Sequence, residues 1–257
     1  MGIIDVDELW FSYDQKRDVL RNINLSMHRG EIVAFLGPNG SGKTTLLKCL
    51  NMLLEPKSGG VYLNGTNIAE MKRADIAKIV SYVPQDHKPT FPYSVIDVVM
   101  LGRSPHIGIF SVPQKEDILM SYEMLNALGI GHLSERLYTE ISGGERKLCF
   151  IARSLNSSPR VLIMDEPTAY LDIKHQTEVL NHISELAKKG ITVIMTLHDP
   201  NLATLIADRV VLLKEGEIIK EGIPAKVVTA ETIKETYDCE VLSVKYGQKE
   251  FICPKIN

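Results

Sequence analysis

Ile32-Val-Ala-Phe-Leu-Gly-Pro-Asn-Gly-Ser-Gly-Lys-Thr-Thr45 is the stretch around which the rest of the chain is read. Its first five residues are a short apolar, β-rich run, the pattern of a strand buried on both faces. Gly37-Pro-Asn-Gly-Ser-Gly-Lys-Thr44 then fits G-x-x-x-x-G-K-[ST] in full. Residues 45–54 read as helix, closed near Pro56 and Gly59-Gly60. Glycines at these places let the backbone turn so that several N–H groups face one concavity. With the positive end of the following helix, those donors suit phosphate oxygens. Lys43 adds a point charge that reaches β- and γ-phosphates, and the Thr44 hydroxyl suits Mg²⁺. A chance glycine-rich turn requires neither the strand before it nor the Lys-Thr pair and helix after it.

The loop resembles the Walker A motif, which by itself implies a P-loop nucleotide binder. Val161-Leu-Ile-Met-Asp-Glu166 supplies a second half. An apolar strand there delivers two carboxylates at its C-terminal end, the ligand edge of such a sheet. Asp165 is expected to hold Mg²⁺, and Glu166 to orient the attacking water or take its proton. Binding alone needs neither carboxylate. A dinucleotide-binding reading fails, because no G-x-G-x-x-G follows the first strand. Ile141-Ser-Gly-Gly-Glu145 precedes an amphipathic helix over 146–155 and forms a second anion-binding nest.

The remaining segments fit around these strands. Residues 3–10 and 19–27 are strand-like, followed by a turn at His28-Arg-Gly-Glu31. Residues 61–63 and 80–83 are further strands. From 86 to 155 the character turns helical, with apolar residues at three- and four-residue spacing over 95–101 and 116–128. Residues 176–188 read as helix, 191–196 as a buried strand and 200–207 as a short helix. Residues 210–213 and 217–220 suggest a hairpin around Lys214-Glu-Gly216. Strands alternating with helices argue for a largely parallel sheet covered on both faces, with the helical stretch inserted. The tail, 223–257, shows a helix pattern over 230–237 and strand patterns over 241–251, and carries no functional reading.

The chain has 257 residues, 29 basic and 32 acidic, for a net charge of −3. That balance leaves no electrostatic footprint for nucleic acid. A bilayer span needs about 20 mostly apolar residues, and the apolar runs here are broken far sooner. Met1-Gly-Ile-Ile-Asp-Val-Asp7 lacks the basic and apolar regions of a secretory leader, so none is expected. Cys49, Cys149, Cys239 and Cys253 form no CxxC pair, suit a reducing compartment and read as buried small hydrophobes.

With the Ser-Gly-Gly nest ahead of the Asp165-Glu166 strand, the sequence resembles the ATP-binding cassette (ABC) ATPases over about residues 3–222. Their signature loop is usually Leu-Ser-Gly-Gly-Gln. The resemblance implies an α/β P-loop NTPase fold, with a mostly parallel sheet core, an antiparallel β part and an inserted helical lobe. It divides a single domain, 1–257, into a nucleotide-binding core (1–85 and 156–222), a helical lobe carrying the signature (86–155) and an extension (223–257). ATP contacts fall on Tyr13, stacking on adenine, on Gly37, Pro38, Asn39, Gly40, Ser41, Gly42, Lys43, Thr44 and Thr45, and on Asp172 of the loop Ala169-Tyr-Leu-Asp172. Ser142, Gly143 and Gly144 close on the γ-phosphate held by the other subunit of a head-to-tail dimer. Gln85 matches the glutamine that touches Mg²⁺ or the water, and His198 the switch histidine at the γ-phosphate. Glu166, His198, Gln85 and Lys43 are thus the catalytic set, with Thr44, Gln85 and Asp165 around Mg²⁺. Ile141 and Glu145 depart mildly from the signature. Lys147 stands where many relatives carry Gln, and Ala169-Tyr170 replaces the commoner Ser-Ala.

One cassette without a span implies a second cassette and separate integral membrane permease subunits, at the cytoplasmic face of the membrane. An extracytoplasmic solute-binding protein would complete such a complex, and nucleic acid is not an expected partner. Thr90-Phe-Pro-Tyr-Ser-Val-Ile-Asp-Val-Val-Met-Leu-Gly-Arg-Ser-Pro-His106, with His198-Asp-Pro-Asn-Leu-Ala203, is similar to importers of iron(III)-siderophores, haem and cobalamin. Those carry a Gly-Arg-x-Pro-His stretch in the region that faces the membrane subunit. Molybdate and tungstate importers share similar features. The alternative is a soluble ABC ATPase switch not coupled to transport.

Overall fold

The structure is a computed structural model that describes residues 2–14, 16–85, 92–108, 111–247 and 249–255. Two compact units form, one from Met1–Met71 with Leu186–Asn257 and one from Lys72–Glu185. In chain order the first stretch holds strands β1 (Ile4–Ser12), β2 (Asp18–Met27) and β3 (Ile32–Leu36), helix α1 (Lys43–Leu50), and strands β4 (Ser58–Leu63) and β5 (Thr66–Asn67). The second unit holds α2 (Arg73–Ala77), β6 (Val80–Val83), α3 (Val95–Met100), α4 (Lys115–Ala127), α5 (Gly143–Leu155) and β7 (Val161–Met164). Helix α6 (Ile173–Lys188) begins in the second unit and runs past its last residue, Glu185. There follow β8 (Thr192–Thr196), α7 (Pro200–Ile206), β9 (Arg209–Lys214), β10 (Glu217–Gly222), α8 (Pro224–Val227), α9 (Ala230–Tyr237), β11 (Val241–Tyr246) and β12 (Lys249–Pro254).

In the first unit β3 is buried at every residue and lies parallel to β8 on one side and β9 on the other. A run of five apolar residues suits that place, since both faces are covered. The hairpin expected around Lys214-Glu-Gly216 forms, with β10 antiparallel on β9. A separate antiparallel sheet has the order β2-β1-β4-β5. Its period-two pattern slips where Glu8 and Asn22 take left-handed backbone, at φ 45° and 48°. Bulges there let Val6 and Leu9, and Leu20 and Ile23, all face inward despite three-residue spacing. The tail forms α9 and an antiparallel hairpin, β11–β12, that runs beyond the strand pattern expected over 241–251.

In the second unit β6 and β7 pair in parallel, Val80 with Val161 through Val83 with Met164. Helix α5 buries Leu148, Cys149, Ile151, Ala152 and Leu155, the inward stripe of an amphipathic helix. Its C-terminal end is held by the Gly-Arg-Ser-Pro-His stretch. Arg103 donates to the carbonyl of Asn156 at 3.0 Å and pairs with Asp117 at 2.9 Å, and His106 bonds the carbonyl of Ser157 at 2.9 Å. Gly102 is obligatory, because a Cβ there would lie 1.9 Å from the carbonyl oxygen of Arg153. Arg103 and His106 thus reach the carbonyls at the end of α5, while the Ser104 hydroxyl bonds the Leu101 carbonyl of its own turn. Tyr93 and Leu101 stay exposed beside a cavity of about 660 Å³. Thr90 and Phe91, which open the stretch, lie outside the described residues.

Several expectations shift. Helix α1 starts two residues before 45, because Gly42 at φ 103° ends the loop and lets Lys43 enter the helix. It stops at Leu50, where Met52 turns left-handed at φ 60° and the N–H groups of Leu53 and Leu54 both reach the Lys48 carbonyl. Helix α6 starts at Ile173 rather than 176, because the Asp172 carboxylate accepts the N–H of His175 at 2.9 Å. Cys49 and Cys149 are buried, and burial pushes both thiols up to about 12. Cys239 and Cys253, expected to be buried, are exposed, the first after α9 and the second on the outer side of the tail hairpin. Among the described residues no helix is long and apolar enough to cross a membrane.

Candidate active site

In the first unit the loop after β3 curls over its own lysine. Lys43 is buried, and its ammonium donates to the carbonyls of Gly37 at 2.7 Å and Pro38 at 3.0 Å. At Gly37 the backbone has φ 152°, and a Cβ would lie 2.0 Å from the Leu213 carbonyl oxygen. No larger residue fits between the loop and β9. The Ser41 hydroxyl is buried in the curl without a hydrogen-bond partner among the described residues. The N–H groups of the first turn of α1 have no acceptor inside the helix. An orphaned hydroxyl, a buried ammonium and helix-start donors make a cradle for an anion, so triphosphate fits this loop. Pro38, Asn39 and Gly40 lie in the same loop, and Thr44 and Thr45 in the first turn of α1. Tyr13 is 63% exposed, stands edge-on to Phe11 and bonds its hydroxyl to Thr45 at 3.2 Å.

His198 follows from strand register. Phe35 is paired with Thr196 in the parallel β3–β8 ladder, and the Leu197 N–H still reaches the Phe35 carbonyl at 3.1 Å. Two residues further along both strands, Gly37 and His198 leave the same C-terminal edge. His198 is exposed there.

The second unit repeats the device. Val83 is paired with Met164, and the Asp165 N–H continues to the Val83 carbonyl at 2.9 Å. Gln85 and Glu166 therefore leave their strands side by side, and the Gln85 amide donates to a Glu166 carboxylate oxygen at 2.6 Å. Asp165 and Glu166 are 2% and 8% exposed. Tyr82 donates its hydroxyl to Asp165 at 3.4 Å. Glu166 holds left-handed backbone at φ 50°, the kind of local strain that persists where surrounding structure fixes a functional side chain.

The Ser-Gly-Gly nest begins α5. The Ser142 hydroxyl accepts the Glu145 N–H at 3.3 Å, and the Glu145 carboxylate accepts the Ser142 N–H at 2.7 Å. This capping box gives the Glu of the signature a role: the Ser142 N–H holds its carboxyl below the usual carboxylate range. Gly143 is exposed and open, while a Cβ on Gly144 would meet the His175 ring at 2.7 Å. His175 in turn bonds Asp172 through its Nδ1 at 2.8 Å. That backbone and side-chain pairing lowers the Asp172 carboxyl pKa. The nest and the Asp172 loop are thus joined through one imidazole.

Two further residues join the site without a forecast role. Lys147 donates to the Gln85 carbonyl at 3.0 Å and the Pro84 carbonyl at 3.5 Å, tying α5 to the glutamine loop. No local pattern links residues 62 apart. His175, three places after Asp172, carries the ordinary spacing of a helix cap and was readable on that ground.

Residues 20–169 match the family described as ABC transporter. The chain is 35% identical to the petrobactin import ATP-binding protein FpuC of Bacillus anthracis, over 98% of this chain and 93% of that one. It is 37% identical to the hemin import ATP-binding protein HmuV of Gloeobacter violaceus, over 90% and 86%. A solved metal-chelate type ABC transporter in an inward-facing conformation superposes with a TM-score of 0.86 at 30% identity, covering 100% of this chain and 98% of that one. The fold and both half-sites therefore define an ABC-type P-loop ATPase. The chain belongs to the ABC transporter family, as an ATP-binding subunit that hydrolyses ATP to power transport.

Proposed function

We propose that this subunit drives uptake of a metal complex of the iron–siderophore, haem or cobalamin kind through separate membrane permease subunits. Its relatives FpuC and HmuV, by name, import petrobactin and hemin, which supports a chelated-metal cargo. The complex would sit at the cytoplasmic face of the membrane and receive cargo from an extracytoplasmic solute-binding protein.

In this reading ATP is the substrate and two copies share two ATP molecules. Tyr13 takes the adenine, and the loop 37–45 takes the phosphates. Ser142, Gly143 and Gly144, with Asp172, complete the partner's site. Thr44, Asp165 and Gln85 offer hydroxyl, carboxylate and amide oxygens, hard donors that suit Mg²⁺. When bound, the ion neutralises charge on the β- and γ-phosphate oxygens. Glu166 orients the attacking water and takes its proton, and Lys43 and His198 stabilise charge on the γ-phosphate during in-line displacement. The observation that supports the assignment is the 2.6 Å bond from Gln85 to Glu166, which fixes the direction of the carboxylate at the strand end. Glu166→Gln keeps size and hydrogen bonding but cannot accept the proton. Equilibrium binding should show ATP affinity retained, while steady-state hydrolysis falls roughly 10²-fold or more, the usual range for a lost general base. Full activity in that variant overturns the role. Reconstitution with the permease in vesicles, scored by ATP-dependent uptake of labelled ferric chelate or haem, tests the cargo.

A further inference from the structure

The segment after β10 enters none of these roles, yet it touches the phosphate loop. Gly37 is the corner between β3 and the loop. The pairing of β3 with β9 ends at Leu36 with Leu212. The Gly37 N–H goes instead to the hydroxyl oxygen of Tyr237, at 2.9 Å, 200 residues along the chain. The carbonyl of the same glycine accepts the Lys43 ammonium at 2.7 Å. One residue thus has its N–H fixed by the tail and its C=O by the lysine. Resting on the nucleotide reading above, we propose that Tyr237 is a positioning residue for the phosphate loop, and that the tail braces the nucleotide site.

The tyrosine is itself held in place. It ends α9, whose start is capped by Thr229 accepting the Thr232 N–H at 3.3 Å. Ile233 and Thr236 are buried beneath that helix. At its end Lys214, the last residue of β9, donates to the Glu235 carbonyl at 2.6 Å and to Asp238 at 2.8 Å. Burial raises the Tyr237 hydroxyl to about 12. The group therefore stays neutral at working pH and brings no negative charge toward phosphate.

A second anchor lies on the other edge residue's helix. The Asn201 side chain donates to the Ile252 carbonyl at 3.0 Å and accepts the Ile252 N–H at 2.7 Å, acting as a strand partner for β12. Asn201 sits in the first turn of α7, which is capped by Asp199, the neighbour of His198. The tail therefore reaches both loops that leave the C-terminal edge of β3 and β8.

The test uses the full chain. Tyr237→Phe keeps the ring and removes the acceptor. The KM for ATP should rise about 3- to 10-fold, the factor for one neutral hydrogen bond, with kcat within about twofold and the melting temperature nearly unchanged. The Gly37 amide should exchange faster with solvent deuterium in the ATP-bound state. Asn201→Ala, which frees β12 without touching the loop, should raise KM in the same direction by less. Wild-type KM and exchange in both variants overturn the proposal, as does a drop in melting temperature with KM unmoved. If the unaltered chain fails to bind ATP, the nucleotide reading falls first and this one with it.

Discussion

Single side chains at this site act through the backbone groups they hold. Lys43 is the strongest case, because its ammonium is buried and satisfied by two loop carbonyls. Lys43→Ala removes both the loop's inner tie and the positive charge offered to phosphate. A charged hydrogen bond contributes about 1.5–3 kcal/mol, so ATP affinity should fall roughly 10- to 100-fold by titration calorimetry. Unchanged affinity would remove the loop from the binding site. Glu145 gives a pH signature. Its carboxyl pKa is lowered in the folded chain by the Ser142 N–H. The stability it adds is therefore present above the unfolded value, about 4.3, and is lost as pH falls through the lower folded value. Glu145→Gln should flatten that limb of a melting-temperature profile between about pH 3 and 5. A profile identical to wild type there would mean the capping box adds no pH-linked stability. Lys43 was read from the sequence through a motif with its strand and helix, while Glu145 was read only as a departure from the signature, although Ser-x-x-Glu is the spacing of a capping box. The roles of Lys147 and Tyr237 were not legible, because their partners are 62 and 200 residues distant and no periodicity records such a meeting.

Helix α5 is the element whose two ends carry different tasks. Its start presents the Ser-Gly-Gly nest, and its end is gripped by Gly102, Arg103 and His106. A cation at a helix C-terminus is favourable, and here the Arg103 guanidinium meets a carbonyl just past the last turn. The stretch that resembles a partner-facing motif thus has an inward half that fixes the helix and an outward half, with Tyr93 and Leu101, that stays exposed. Arg103 and Asp117 are only 12% and 13% exposed, so removing one partner leaves a poorly solvated charge. Arg103→Ala should cost about 3 kcal/mol by urea denaturation, as for a broken buried pair. A loss under about 1 kcal/mol, the range of surface pairs, would place this contact outside the helix's support. At this scale the long apolar strands and periodic helices were readable, because burial on two faces or one stripe writes itself into composition. Helix ends were less so. The starts of α1 and α6 depend on the left-handed Gly42 and the Asp172–His175 cap, and the bulges at Glu8 and Asn22 on backbone that alternation does not encode.

For the molecule as a whole, the proposed function rests on two glycine-rich helix starts, the loop 37–45 and Ser142-Gly-Gly, on separate compact units. In the function proposed above, each nucleotide meets the loop of one copy and the Ser142 nest of the other. The two-fold symmetric arrangement is the common solution for homodimers. It makes a mixing experiment informative. Lys43→Ala disables the loop, and Ser142→Arg blocks the nest with bulk and charge. Each homodimer then has two damaged sites. In a mixed dimer with shared sites, both lesions fall on one site and the other is intact. Equal mixing places about half of the chains in mixed dimers, so hydrolysis should recover to roughly a quarter of wild type if sites work independently. The parent variants alone should remain near background. Light scattering on Glu166→Gln with ATP should show a doubled mass that disappears when Ser142→Arg is added to the same chain. If the mixture stays as inactive as its parents and that mass never doubles, each chain works by itself, and the Ser142 turn is a helix cap and nothing more.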